Sequence, residues 1–561
     1  MNREHQHLSS FLLFVVGLTT IVITPNLVFE PIALPRFVVI TIAGFTILGI
    51  LASEFRILPI RSMQIYSILS LLIVINLTLV LFFAGTNFYR SLYGSSGRST
   101  GFLTYFSWLM IMLLACKVSS EKNLYNFSKL LILLGSVASL YGLLQWRALD
   151  PINWQNTYGP VVGFFGNPNF ESGFLGLAAC GTLAFLFERK QKLILRVLLL
   201  ILLFLELSTI RISGSSQGLF IFAAGFVVIV LVQLIATDRK RLYIPALLLS
   251  GTGGLVFLVG LLELGPLKFL EVDSTLQVRQ LFWNAAWKMT TTHPFLGIGF
   301  DGYIDWYRRA RPPEATIPSR IGIYTDSAHS IFLDISSSGG FPLLTLYLCL
   351  QFLVLVSIFK LLKRNKSYDA GMTAVISAWL GYQVFSLVSI NQLGIAVWGW
   401  VLSGLILGYE VNTRSSVDLK PVPIISKRKD VKSSNSKRNR QLLPLLISGA
   451  FIGALFSVPA YVSSANYVNA LKLGQLEQLK ISAFSKPIDE QRIVGVARLL
   501  AENKLNKDAL EIAVKATEYF PDSSFAWEAL AGVPGISSGD LARAKLELKR
   551  LDPNYKDLGQ N

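Results

Sequence analysis

The sequence predicts an all-α polytopic membrane protein, about thirteen transmembrane helices with a small helical-repeat tail, and three observations carry that prediction. Hydrophobic residues fill 52% of the 561 positions and charged residues only 15%, and the mean hydropathy of +0.52 lies well outside the range of soluble domains. Apolar runs near the ~20 residues that cross a bilayer recur along the chain. Between them, clusters of lysine and arginine alternate with connectors that lack them, as expected when basic loops stay in the cytoplasm.

In order, the runs start near Phe11, Phe37, Ile65, Phe102, Leu130, Phe174, Leu193, Leu219, Ile244, Phe341, Met372, Leu393 and Leu443. The first is expected to stay in the protein, because Pro25 and Glu30 stand where a signal peptide would carry a small-residue cleavage site. Basic connectors at Arg56 and Arg61, Lys117 and Lys122, "ERKQK" with Arg196, "DRKR", "KLLKRNK" and "SKRKDVKSSNSKRNR" put those loops and the Met1 end in the cytoplasm. The intervening connectors then face outward, and an odd number of spans sends the tail outward too. The expected divisions are a membrane core at 1–412 containing a long extracytoplasmic loop at 264–330, a basic cytoplasmic linker at 413–441, a further span at 442–463 and an extracytoplasmic tail at 464–561. Within the tail, "DALEIAVKATEYFP" from Asp508 resembles "DLARAKLELKRLDP" from Asp540 at an offset of 32 residues, near the roughly 34 of a tetratricopeptide repeat. Such a module would bind a protein or glycan partner, or serve as a packing cap.

The net charge of +17 raises nucleic acid as a partner. The charge lies in the connectors, however, and a basic stripe with interleaved aromatics is absent, so no nucleic acid is expected. Cys116, Cys180 and Cys349 sit inside apolar runs without metal-ligand spacing and read as small buried hydrophobes, with neither a disulfide framework nor a metal site expected. Walker A, HExxH and GxSxG motifs are missing, which removes the motif basis for nucleotide-driven transport and the common hydrolases.

Long outward connectors carry the remaining signal, since a hairpin between spans needs only a few residues. In the longest, Arg279, Trp283 and Trp287 fall at helical spacing, so Asp273 to Thr290 reads as an amphipathic helix along the outer face, with interfacial anchoring as the simpler alternative for the tryptophans. "HPFLGIG" then forms a turn around Gly297 and Gly299. "FFGNPNFESG" places Asn167 and Asn169 in a tight turn entering a span, "GTNFYRSLYGSSGRSTG" brings Arg98 to the membrane, and "STIRISGSSQG" brings Arg211. In "YTDSAHSIFLDISSSGG", Asp326 is placed to cap the amides of a starting helix and His329 to project from its first turn.

Arginines on the outward side run against the topological charge bias, so orientation alone is a poor explanation for them. A diphosphate at headgroup level would need them, because guanidinium offers paired donors to phosphate oxygens and keeps its charge. Lipid-diphosphate-linked sugars present such a group, and in glycosyl transfer the leaving diphosphate gains charge that fixed arginines stabilise. The acceptor hydroxyl is helped by a base titrating near neutrality. His329, one of four histidines, is placed for that role, or is satisfied by local hydrogen bonds at a helix start.

"RQLFWNAAWKMTTTHPFLGIGFDGY" followed by "DSAHSIFLDISSSGGFPLLTLYL" resembles the central signature of the O-antigen ligase superfamily: an Arg, a downstream Trp, a P-x-x-G-x-G turn, an A-H-N/S step opening a membrane helix, and a later Gly pair. "GRSTGFLTY" and "FFGNPNFESGFL" also look like family features, extending the resemblance to about Glu410. The resemblance implies a metal-independent, cofactor-free, GT-C-like glycosyltransferase of the cytoplasmic membrane. It would work among membrane lipids, moving a glycan from an undecaprenyl-diphosphate carrier to a glycan, lipid or protein acceptor outside the cytoplasm. It further implies that His329 activates or positions the acceptor and that Arg279 holds the donor diphosphate, with Arg98 matching the arginine of an early G-R-x-x-G pattern. In "RISGSSQGLF", Ser216 stands where many relatives have arginine; Arg211, five residues earlier, is the substitute expected at the diphosphate. Asp326, Asn167 and Asn169 are expected to support the site. A surface polysaccharide ligase leads; a repeat-unit polymerase and a protein O-oligosaccharyltransferase stay open within the class. A lipid-glycan flippase is disfavoured by charge gathered in outer loops rather than deep in spans.

Overall fold

Long apolar runs leave the backbone one way to satisfy its polar groups in hydrocarbon, as helix, and every element of the computed structural model is helical among the described residues. These are residues 3–55, 64–85, 87–154, 159, 161–242, 244–246, 248–249, 251–254, 274–316, 324–418 and 431–553. Helices α1 (Arg3–Ile21), α2 (Ala33–Phe55), α3 (Ile65–Phe83), α4 (Phe88–Tyr93), α5 (Phe102–Val118), α6 (Glu121–Trp146), α7 (Pro168–Leu186), α8 (Leu193–Ile212) and α9 (Gln217–Ala236) come first. Next are α10 (Ser274–Thr292) and α11 (Tyr303–Ala310), then α12 (Ile331–Arg364), α13 (Ala370–Val388), α14 (Leu393–Asp418) and α15 (Val431–Leu473). The tail holds α16 (Leu476–Ala483), α17 (Glu490–Glu502), α18 (Asn506–Tyr519), α19 (Ser524–Ala531) and α20 (Ser538–Leu551).

Ten of these are long and apolar enough to cross a membrane, and three shorter apolar helices, His5–Ile21, Phe102–Val118 and Ile244–Gly254, stand at the other expected positions. The protein is a multi-pass membrane protein. At its centre lies α14, with Ile395, Trp398, Val401 and Leu405 all buried. Two buried tryptophans pair their ring nitrogens inside the bundle: Trp398 Nε1 donates to Thr20 Oγ1 (2.9 Å) and Trp379 Nε1 to Ser403 Oγ (3.0 Å). Small residues let helices touch, as membrane packing requires. Where α15 crosses α2, a Cβ on Gly449 would lie 2.3 Å from the Phe45 carbonyl. On the outside, Leu193, Ile194 and Phe204 of α8 are exposed, an apolar surface suited to lipid.

Three sequence expectations shift. The stretch 413–441 expected as a linker is helical at both ends, since α14 runs to Asp418 and α15 begins at Val431. The further span does not stop at 463, because α15 continues unbroken to Leu473. Cys349 is exposed rather than buried, on a helix whose flank faces outward. Arg56, Arg61 and Asp273 lie outside the described residues.

The tail has its own apolar core, built from residues such as Ile493, Val496, Leu500, Ala513, Trp527 and Leu548. It docks through charge onto α11, whose "RRAR" end supplies three arginines. Arg308 pairs with Glu528 (2.5 Å), Arg309 with Asp522 (2.9 Å) and Arg311 with Asp552 (2.7 Å). Buried Arg90 of α4 bridges Asp305 of α11 and Glu490 of α17. Burial opposes its charge, but the two carboxylates more than offset this and raise its pKa. The tail and the connectors bearing α4 and α11 therefore share one end of the bundle.

Candidate functional site

The motifs "SSSGG" and "HPFLGIG" prove to be each other's hydrogen-bond partners. At Gly340 the backbone leaves the helix (φ +69, ψ −171), where an added Cβ would sit 2.5 Å from the Pro294 carbonyl. A break inside a span frees backbone groups that protein must satisfy. Ile298 N donates to Ser337 O (2.8 Å), Gly299 N to Ser338 O (3.1 Å) and Phe341 N to Pro294 O (2.8 Å). Gly297 (φ +63) permits the approach, since a Cβ there would meet Ser337 O at 2.4 Å. The turn thus pins α12 and fixes Asp301, just beyond it.

Asp301 is one of three aspartates around Arg98. It accepts from Ser95 N (2.9 Å), Thr100 N (3.1 Å) and Thr100 Oγ1 (2.6 Å), folding "SSGRST" around its carboxylate. Arg98 Nε lies 3.9 Å from Asp301 Oδ1, Nη1 3.4 Å from Asp326 Oδ1 and Nη2 3.6 Å from Asp334 Oδ2. Burial works against the Arg98 charge, but Asp326, Asp334 and Asp301 together raise its pKa above the ordinary value. Asp334 also accepts from Ala328 N (2.7 Å), tying the first turn of α12 to the residue before His329.

Asp326 does not cap α12, because its carboxylate is drawn to Arg98. The N-cap is Ser330, without a side-chain cap bond, and the carboxylate that reaches back over the helix start is that of Asp334. His329 precedes the helix instead of lying in its first turn, in the left-handed region at φ +51. Its N–H donates to Ser327 Oγ (3.2 Å). The half-buried imidazole stacks on Phe282 of α10, with ring centroids 5.6 Å apart and planes at 28°. Arg279 lies one helical turn before Phe282 and so presents its charge on the same side. Burial first, then the charges of Arg279 and Arg98, press the His329 pKa down to about 3. At neutral pH the ring is uncharged, a hydrogen-bonding group rather than a cation.

A cavity of about 590 Å³ brings His329, Arg98 and Asp326 together with Glu30, Asn167 and Asn391. Asn167 is fixed as the N-cap of α7, accepting from Asn169 N (2.8 Å); Asn169 contributes that amide and does not itself line the cavity. Asn391 Nδ2 donates to the Tyr105 hydroxyl (3.1 Å). Arg211 is not brought in: it is exposed on the last turn of α8, while Ser216 precedes α9. Trp287 is 54% exposed and edge-on to Phe341, in keeping with anchoring, whereas Trp283 packs into the apolar cluster of α10 and α11.

Sequence reasoning passed over Asp301, Asp334, Glu30 and Asn391. Asp334 carried a signal, an acid inside an apolar run. Glu30 and Asn391 sit in short connectors, where loop length gives no hint.

No curated protein matches the chain. Residues 201–348, about a quarter of it, match the family model described as O-Antigen ligase, a stretch that carries Arg279, His329, the paired turn and helix break, and Asp334, and the similarity points to glycan transfer of that kind.

Proposed function

We propose that the protein transfers a glycan from an undecaprenyl-diphosphate-linked donor to an acceptor on the outer side of the cytoplasmic membrane, as a metal-independent GT-C-like surface polysaccharide ligase. One observation carries the reading: the cavity gathers His329 with amide side chains suited to sugar hydroxyls, and Arg279, which does not itself line it, acts on His329 by its charge, in a chain similar to O-antigen ligase over 201–348. Arg279 grips the donor diphosphate through its planar fork. As the bond from the anomeric carbon to the diphosphate oxygen lengthens, negative charge grows on the leaving group, and a fixed guanidinium stabilises it. His329 orients the reactants by hydrogen bonding. Arg98, which lines the cavity but is engaged by three aspartates, adds its charge to the site. The tail, read as two tetratricopeptide-like helix pairs (α17 with α18, α19 with α20), lies over the outer face beside the cavity.

The test is loss of the gene product in its host, with surface glycans and the lipid-carrier pool analysed by mass spectrometry. Finished glycan should disappear while its undecaprenyl-diphosphate-linked form accumulates. Normal surface glycans with an unchanged carrier pool would sink the proposal.

A further inference from the structure

Glu30, in the connector between α1 and α2, lines the His329 cavity and also a second pocket beneath the tail. Its connector is clamped by α15: Phe29 N donates to Ser464 Oγ (2.9 Å), and the Phe29 ring meets Tyr467 edge-on at 5.7 Å. The carboxyl itself receives a hydrogen bond from Ser96 Oγ (3.3 Å). Two like charges face it, Asp489 from the connector before α17 and Asp326 from the connector before α12. The arginines around it are engaged elsewhere. Arg98 faces its three aspartates; Arg492 donates to the Pro487 carbonyl and to Ser485 O (2.9 Å) and lies 4.0 Å from Asp489. Tyr89 and Tyr93 line the pocket beneath, and burial raises the Tyr93 phenol above its ordinary value. Among the described residues no lysine or arginine is ion-paired with Glu30.

Two groups on the cavity lining are therefore shifted in opposite directions. At His329 burial first, and then the arginine charges, withhold a proton, which makes the imidazole a poor base. At Glu30 burial, then Asp489, with Asp326 adding to them and the Ser96 hydroxyl opposing, push the carboxyl up to about 7. A base working near neutral pH is most effective with a pKa close to it. We propose that Glu30 is the proton acceptor for the incoming acceptor hydroxyl, and that His329 positions rather than deprotonates. The step rests on the ligase reading. The hydroxyl proton passes to the Glu30 carboxylate as the acceptor oxygen bonds to the anomeric carbon. The bond from that carbon to the diphosphate oxygen breaks, and its electron pair leaves with the lipid diphosphate toward Arg279. Glu30 then returns its proton to water.

The test uses the full-length protein in lipid nanodiscs with a lipid-linked glycan and its acceptor, following transfer against pH. The wild-type rate should rise with pH through about 7 and level off. Glu30→Gln keeps the shape and the Ser96 contact but cannot take a proton. It should bind donor normally yet transfer roughly 10²–10⁴-fold more slowly, with the pH limb gone, while His329→Gln keeps the limb. A Glu30→Gln rate within about threefold of wild type, or loss of the limb in His329→Gln alone, overturns the assignment. If Glu30→Gln fails to bind donor, Glu30→Asp decides: a displaced limb supports the proposal and an unmoved one overturns it. No transfer by the wild-type protein overturns the ligase reading, and this step with it.

Discussion

Replacing Arg98 by glutamine separates an arginine that serves the fold from one that serves the donor. Its guanidinium lies 3.4, 3.6 and 3.9 Å from three carboxylates. At an effective dielectric of ~20, each contact attracts by about 4–5 kcal/mol. Burial of the ions and repulsion among the aspartates offset most of that sum. The Asp326 pair counts least, because that side chain is 39% exposed and solvent screens it. Asp301 and Asp334 decide the outcome, with side chains only 7% and 9% exposed. Removing the cation leaves them buried and uncompensated, a change that typically costs about 3–5 kcal/mol. Arg98→Gln should lose that much unfolding free energy, measured by steric trapping in bicelles. Adding Asp334→Asn should recover about 1 kcal/mol or more by removing one stranded charge. Wild-type stability in Arg98→Gln, with at least about tenfold weaker binding of a lipid diphosphate (about 1.4 kcal/mol), would refute this reasoning and make the arginine a donor ligand.

Arg279→Lys keeps the charge but loses the planar fork, so transfer should fall nearly as far as in Arg279→Ala; near-normal transfer by the lysine variant would mean that Arg279 only anchors α10. The His329 pKa of about 3 lies below the ordinary 6.5, so the unfolded chain binds the proton first on acidification. Its contribution to stability is present above about 6.5 and lost as pH falls toward 3. His329→Gln should flatten the acid limb of the thermal midpoint in that window, and superimposable profiles would exclude a ring held neutral by the fold. For topology, Thr291→Cys, at an exposed position of α10, should react with an impermeant thiol reagent in intact cells while Asn435→Cys does not; the reverse pattern would invert the proposed orientation.

The helical membrane architecture was legible because it rests on composition and on run length, which act locally and leave a mark in every span. Pairings were not. Nothing in the spacing of "FDGY" says that Asp301 will fold "SSGRST" around its carboxylate, because the contact crosses many intervening residues and depends on where the fold brings the two connectors together. Asp326 looked like a helix cap from its distance to the apolar run, but that rule assumes no stronger partner, and Arg98 is one. The glycine pair after His329 enters the sequence reading only as part of the family resemblance. Only the fold reveals that Gly340 breaks the helix and that the Pro294–Gly299 turn takes up the freed backbone groups.

The cavity's walls bear on how the two substrates would enter. Its lining comes from the connectors 22–32, 84–101, 147–167, 293–330 and 389–392. These are the connectors that the alternation of basic loops sets on one side of the membrane. The tail joins them there through Arg90, Arg308 and Arg311, so α15 must end on that side as well. Within this shared face Arg98 is not an open cationic surface. Three aspartates outnumber its single charge, so a diphosphate laid against it would meet more repulsion than attraction. On the proposed reading the donor would sit better on the Arg279 side, with its lipid chain leaving along α10 and the long apolar flank of α12. An acceptor would meet a wall carrying Glu30 and Asp326, with Asp489 in the adjoining pocket beneath the tail, as oxygen acceptors for hydroxyl groups. A sugar carrying free hydroxyls fits that wall; an anionic acceptor would be repelled by it.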